Sequence, residues 1–177
     1  MEEEVVKRKI IVRRKRVWVE YAQVILTTLI ITYGILFFVQ VSRVYGTSML
    51  PTYHEGNIVL VDKIFYKHIK PERNDIVVVD YKDANLQETF IIKRVTGVGG
   101  DKIEIKDNEL YLNGKLLEED YINEVMINSE DMIVDVPKGK VFVMGDNRNN
   151  SLDSRKLGYF DFKDDVIGRV FFTVPFS

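Results

Sequence analysis

The chain has 177 residues, 46% hydrophobic and 29% charged, which allows one folded domain with an appendage and excludes a disordered chain. It has no cysteine and only two histidines, His54 and His68, without an H-E-x-x-H pair. Thiol nucleophiles, disulfides and Cys-based zinc sites are thereby excluded, and no metal or other cofactor is expected. The net charge of −2 hides an asymmetry: the first seventeen residues carry seven basic and three acidic groups, whereas from Ser42 onward 18 basic face 23 acidic ones. An acidic body with a basic tip argues against a nucleic-acid partner.

Residues 1–17 read as a basic tail and residues 18–42 as a transmembrane anchor. Tyr21 to Ser42 contains no charge, and Tyr21–Val41 as a helix would span about 31 Å, matching the roughly 30 Å hydrocarbon core. Its threonines can bond to the preceding turn, and Trp18, Tyr21 and Tyr45 sit where interfacial aromatics belong. A cleavable leader would have a shorter apolar run ending in an A-x-A-like site, and no alanine occurs between Ala22 and Ala84. The basic residues Lys7 to Arg16 precede the span, so the tail is expected in the cytoplasm and residues 43–177 outside it, with the lipid bilayer as a partner.

Downstream, short β-branched and aromatic runs follow one another. Strands are expected at Asn57–Val61, Asp75–Val79, Thr89–Val95, Lys102–Ile105, Glu109–Leu112, Lys140–Met144 and Val166–Val174. Turn signals separate them, and Asn113-Gly114 predicts a tight hairpin between ELYL and Leu116-Leu117. Leu117–Ser129 is read as one short helix. The fold class expected is mainly β: one N-terminal transmembrane helix and a strongly bent antiparallel domain. The aromatics Tyr45, Tyr53, Phe65 and Tyr66 are expected in the core, the alternative being a patch resting on the membrane.

Three segments concentrate chemistry. In Gly46-Thr47-Ser48-Met49-Leu50-Pro51-Thr52, a glycine two residues before a serine permits close backbone approach and leaves N–H groups for an oxyanion. Pro51 stiffens the exit. In Phe90-Ile91-Ile92-Lys93-Arg94-Val95, a lysine alternating with apolar residues could be desolvated and act as a neutral base; the alternative is a lysine reaching to water. In Gly145-Asp146-Asn147-Arg148-Asn149-Asn150-Ser151-Leu152-Asp153-Ser154-Arg155, two arginines and two aspartates crowd one loop that can stiffen a site.

Taken together, GTSMLPT, IIKRVTGVGGD and GDNRNNSLDSR, in that order behind an N-terminal anchor, resemble the boxes of the type I signal peptidase family of bacterial Ser–Lys proteases. The resemblance covers the chain from Trp18 to about Arg169. It implies Ser48 as nucleophile and Lys93 as base, with Ser151 bonding and orienting the lysine amine. Asp153 and Arg155 would form a supporting ion pair, and Asp146 and Arg148 would shape the same loop. Ser48 N–H would be one oxyanion donor. Some members carry a serine hydroxyl at the position of Gly46, so the second donor here is left to backbone or water. Met49 and Pro51 would line the substrate groove. The implied fold inserts a small β domain, here about residues 102–136, between the lysine box and the closing box, as in the compact Gram-positive form. The implied partner is the signal peptide of an exported preprotein, cut after small residues.

Three other readings stand beside this one. A soluble self-cleaving Ser–Lys repressor is opposed by the charge-free span. A His54-based dyad would place the base six residues from Ser48. A non-catalytic peptide-binding scaffold is opposed by the joint presence of Ser48, Lys93 and Ser151.

Overall fold

The structure, a computed structural model, describes residues 1–82, 88–122 and 124–175. It divides into two compact units, Met1–Phe38 and Val39–Ser177.

The first unit is one helix, α1 (Glu2–Phe38). Within it Val17–Phe38, 22 residues of mean hydropathy 1.8 and none of them buried, is long and apolar enough to cross a bilayer. Thr28 Oγ1 donates to Val24 O at 2.8 Å, the backbone bond expected of a hydroxyl in an apolar helix. The helix stops at Phe38, three residues before the expected Val41, because Val39–Arg43 is a strand. The sequence VQVSR alternates apolar and polar residues, a period of two that the overall hydropathy of the run conceals.

The second unit is mainly β. In chain order its strands are β1 (Val39–Arg43), β2 (Ile58–Asp62), β3 (Ile76–Lys82), β4 (Glu88–Val98), β5 (Lys102–Lys106), β6 (Glu109–Leu112), β7 (Lys115–Leu116), β8 (Met132–Asp135), β9 (Lys140–Met144), β10 (Phe160–Asp161) and β11 (Val166–Val174). Seven form a sheet in the order β1-β2-β11-β3-β4-β9-β10 and four a second sheet in the order β7-β6-β5-β8. Every strand pair is antiparallel. Register shifts in β4 and β11 bend the larger sheet.

Around β3 and β9 both faces of the larger sheet are covered, so these strands read as continuous apolar runs. In β3, Val77 and Val79 join Val95, Val141, Val143, Phe160 and Phe162 on one face. Ile76 and Val78 pack with Val59, Val61, Val44, Met49 and Tyr53 on the other. In β9, Phe142 and Met144 turn instead to Ile103, Ile105, Leu110 and Leu112 of the smaller sheet. That sheet spans Lys102–Asp135. Asn113 and Gly114, with φ of 54° and 78°, form the expected hairpin turn between β6 and β7.

Two expectations fail here. Residues 117–122 and 124–129 contain no helix. The segment has one buried apolar residue among its exposed ones, Met126, and its polar groups are drawn to the loop after β9, so no apolar helical face forms. The four aromatics also divide: Tyr53 and Tyr66 are core, whereas Tyr45 and Phe65 are exposed.

Candidate active site

Ser48 sits on a turn that begins where β1 ends. Val44 N–H donates to Asn57 O and Gly56 N–H to Val44 O, which pins the approach. Gly46 then takes a φ of +79°, a conformation that a side chain disfavours. Leu50 N–H closes the turn on Thr47 O, and Met49 is driven into the core with 2% exposure. Ser48 is thus held between two buried anchors, Val44 and Met49, and remains half-buried itself.

Lys93 comes from β4, where it alternates with Ile91 and Val95. It is 3% exposed, and its Nζ donates to Ser48 Oγ at 2.7 Å and to Ile92 O at 2.9 Å. Burial pushes the amine down to about 8, against the opposing pull of Asp153 and Asp146. An amine at that value is partly neutral near physiological pH and can accept a proton from the hydroxyl it touches.

The loop after β9 closes the site through carboxylates. Asp153 is fully buried; it caps the short helix α2 (Ser154–Leu157), accepts Gly145 N–H at 3.0 Å, and pairs with Arg155 at 2.8 Å. Burial alone would raise its pKa; the Arg155 guanidinium and the Gly145 N–H outweigh that and hold it below the usual range. Asp146 receives Arg94 Nε and Nη2 at 2.8 and 2.7 Å, and also the Thr52 hydroxyl. Gly145 itself admits no side chain: a Cβ there would lie 2.5 Å from Ser48 O and 2.3 Å from Ser151 Oγ.

Beside the Ser48–Lys93 pair lies a cleft of about 510 Å³, lined by Ser42, Tyr45, Gly46, Ser48, Ile92 and Lys93 among others. Two strand edges border it. Among the described residues β1 pairs only with β2, and β4 pairs with β9 only from Arg94 onward, so its preceding residues have β3 alone. The arrangement therefore combines a serine–amine pair with exposed backbone able to receive an extended chain.

Residues 18–175 match the family described as signal peptidase, peptidase S26. The chain belongs to that family. Signal peptidases are serine endopeptidases, and this chain is one of them. Similar relatives include the probable signal peptidase I-2 of Synechocystis, 36% identical over 87% of this chain and 72% of that protein. Another is signal peptidase I of Bacillus licheniformis, 39% identical over 76% of each. A solved signal peptidase I from Enterococcus faecalis is 32% identical, with a TM-score of 0.48, covering 58% of this chain and 98% of that one.

Of the residues singled out in the signal peptidase boxes, Ser48, Lys93, Gly46 and Met49 meet at the cleft, and Asp146, Asp153, Arg155 and Arg148 gather behind it. Asp146 and Arg148, expected to shape the loop, pair with residues outside it, Arg94 and Glu119. Two residues depart from expectation. Pro51 is exposed and outside the cleft lining. Ser151 does not bond Lys93, whose Nζ bonds go to Ser48 and Ile92. Its buried hydroxyl has no well-formed hydrogen bond, although it lies near enough to Asp153 to help hold that carboxylate ionised.

His54 and His68 are both exposed and neither lines the cleft. Among the described residues no cluster of His, Asp and Glu could hold a metal ion. Sequence reasoning missed Glu119 and Tyr121. Tyr121 donates to Glu119, and its ring lies under Arg94, whose guanidinium carbon is 4.0 Å from the ring centroid. Nothing local in EEDY marks that role; only the partners, far away in sequence, reveal it.

Proposed function

We propose that the chain is a membrane-anchored endopeptidase that removes N-terminal signal peptides from exported preproteins, with Ser48 as nucleophile and Lys93 as general base. The observation that carries this reading is the 2.7 Å contact between Lys93 Nζ and Ser48 Oγ at an almost completely buried amine. The family assignment supports the substrate class, and Val17–Phe38 supports the anchor, with the basic tail cytoplasmic and residues 43–177 on the other side.

In this mechanism an extended cleavage segment lies in the cleft along the free edges of β1 and β4, with small side chains at the first and third positions before the cut. Neutral Lys93 takes the Ser48 proton as Oγ attacks the scissile carbonyl carbon, and Ser48 N–H receives the developing oxyanion. The resulting ammonium gives its proton to the leaving amine, the carbon–nitrogen bond breaks, and an acyl-enzyme remains. Lys93 then activates a water that hydrolyses the ester and restores Ser48. Ser151, with an unused hydroxyl acceptor beside Gly145, is assigned to steady the ammonium. The Asp153–Arg155 and Asp146–Arg94 pairs hold the loop and carry no protons. Tethering enzyme and substrate to one membrane raises their effective concentration.

The test is cleavage of a signal-peptide-bearing preprotein by the detergent-solubilised full chain. Wild type is expected to cut after a small residue, Ser48→Ala and Lys93→Ala to be inert, and His54→Ala to keep most activity. An inactive wild type in good detergent and lipid would favour a peptide-binding scaffold, and an active Lys93→Ala would remove the lysine from its role.

A further inference from the structure

The loop after β9 also grips the nucleophile turn in a way that neither the dyad nor its ion pairs explain. Asn147 N–H donates to Ser48 O at 3.0 Å, and Asn147 Nδ2 donates to Thr47 O at 3.1 Å. Asn150 Nδ2 donates to Thr47 Oγ1 at 3.0 Å. Two consecutive peptide units, Thr47–Ser48 and Ser48–Met49, are thus held by their carbonyls.

In a planar trans peptide the N–H points opposite to the C=O. Holding Thr47 O therefore fixes the direction of Ser48 N–H. That N–H has no partner among the described residues, and Ser48 lines the cleft. Neighbouring side chains offer no substitute. Gly46 has no hydroxyl, and Thr47, whose Oγ1 accepts from Asn150, does not line the cleft. Within the turn Leu50 N–H also reaches Thr47 O, at 3.2 Å; from outside the turn, the group that holds this carbonyl is Asn147 Nδ2.

We propose that Asn147 is a positioning residue for the oxyanion donor: its side chain holds Thr47 O so that Ser48 N–H faces the oxygen of the scissile carbonyl. Asn150 steadies the same turn through Thr47 Oγ1. The proposal rests on Ser48 being the nucleophile. A donor fixed in advance stabilises charge that appears only in the transition state, so releasing it lowers kcat and leaves KM in place.

The experiment is steady-state cleavage of a preprotein by the full chain in detergent micelles, with Asn147→Ala, Asn147→Asp, Asn147→Gln, Asn150→Ala and Ser48→Ala compared with wild type. Removing the donor with Ala or Asp is expected to lower kcat about 10- to 100-fold, somewhat less than deleting an oxyanion donor outright. KM should stay within about twofold, and the pH midpoint of the rate should not move, because the base is untouched. Gln, which keeps the amide donor, should recover part of the loss. Asn150→Ala, at an exposed position, should show a smaller loss of the same kind, and it decides the matter if Asn147→Ala does not fold. The proposal is overturned if Asn147→Ala keeps its kcat, if Asp serves as well as Asn, or if the loss appears in KM or in the pH midpoint. Those results with an inert Ser48→Ala would leave the protease reading intact; an active Ser48→Ala would overturn both.

Discussion

At the scale of single residues, the site depends on one amine that is costly to bury. Lys93 has a folded-state pKa of about 8, below the value of about 10.4 for a free lysine. The charged form is therefore penalised in the fold. The penalty is fully present below pH 8, shrinks as the pH rises from about 8 to about 10.4, and is gone above that. Lys93→Met is accordingly expected to abolish cleavage while raising stability by about 2–3 kcal/mol at pH 7, with the gain fading toward pH 10. Denaturant unfolding at the two pH values measures it; a Met variant less stable than wild type at pH 7 would contradict the burial argument. Gly145 is the second critical position. Its missing Cβ leaves room for Ser48 O and Ser151 Oγ, so Gly145→Ala should displace the nucleophile turn and cut kcat severely. A crystal structure of that variant with Ser48 unmoved and normal turnover would refute this.

At the scale of elements, the segment after β7 acts as a strut between the small sheet and the loop that closes the site. Glu119 and Arg148 are 4% and 1% exposed at their side chains, so neither charge is screened by water. Glu119→Ala leaves Arg148 buried without its carboxylate, which typically costs about 3–5 kcal/mol. Thermal or chemical unfolding of that variant should show the loss, and activity should fall with it.

The same elements show what the sequence made legible. Strands with strong β-branched runs, such as β3 and β9, and the Asn113-Gly114 hairpin follow from local pattern. The three boxes that bring Ser48 and Lys93 together were legible through the family resemblance of their conjunction, not through any one segment. Val39–Arg43 was concealed because an apolar strand that continues an apolar helix differs from it only in period. The absence of a helix in 117–122 and 124–129 was concealed because the Glu119 carboxylate and Ile127 N–H are satisfied at distant sites, Arg148 and Asn149, which composition does not indicate. Ser151 was legible as a segment residue, yet its hydroxyl's lack of a well-formed bond was not, since that depends on the packing around it.

At the scale of the whole molecule, the proposed function assigns the apolar helix to the membrane and the β unit to catalysis. The chain has no cysteine, so single introduced thiols report orientation cleanly. Lys138→Cys, at an exposed turn of the β unit, should react with a membrane-impermeant maleimide on intact cells. Arg8→Cys, in the basic tail, should react only after lysis; the reverse pattern would invert the proposed topology.

The central claim is that a neutral, buried Lys93 removes the proton from Ser48. Its most direct test is the pH dependence of kcat/KM for preprotein cleavage between pH 6 and pH 10 by the full chain. The account predicts a rate that climbs about tenfold per pH unit at the acidic end and levels off above a midpoint near the lysine value of about 8. A rate that is flat across this range, or that falls from pH 6 to pH 9, would contradict it.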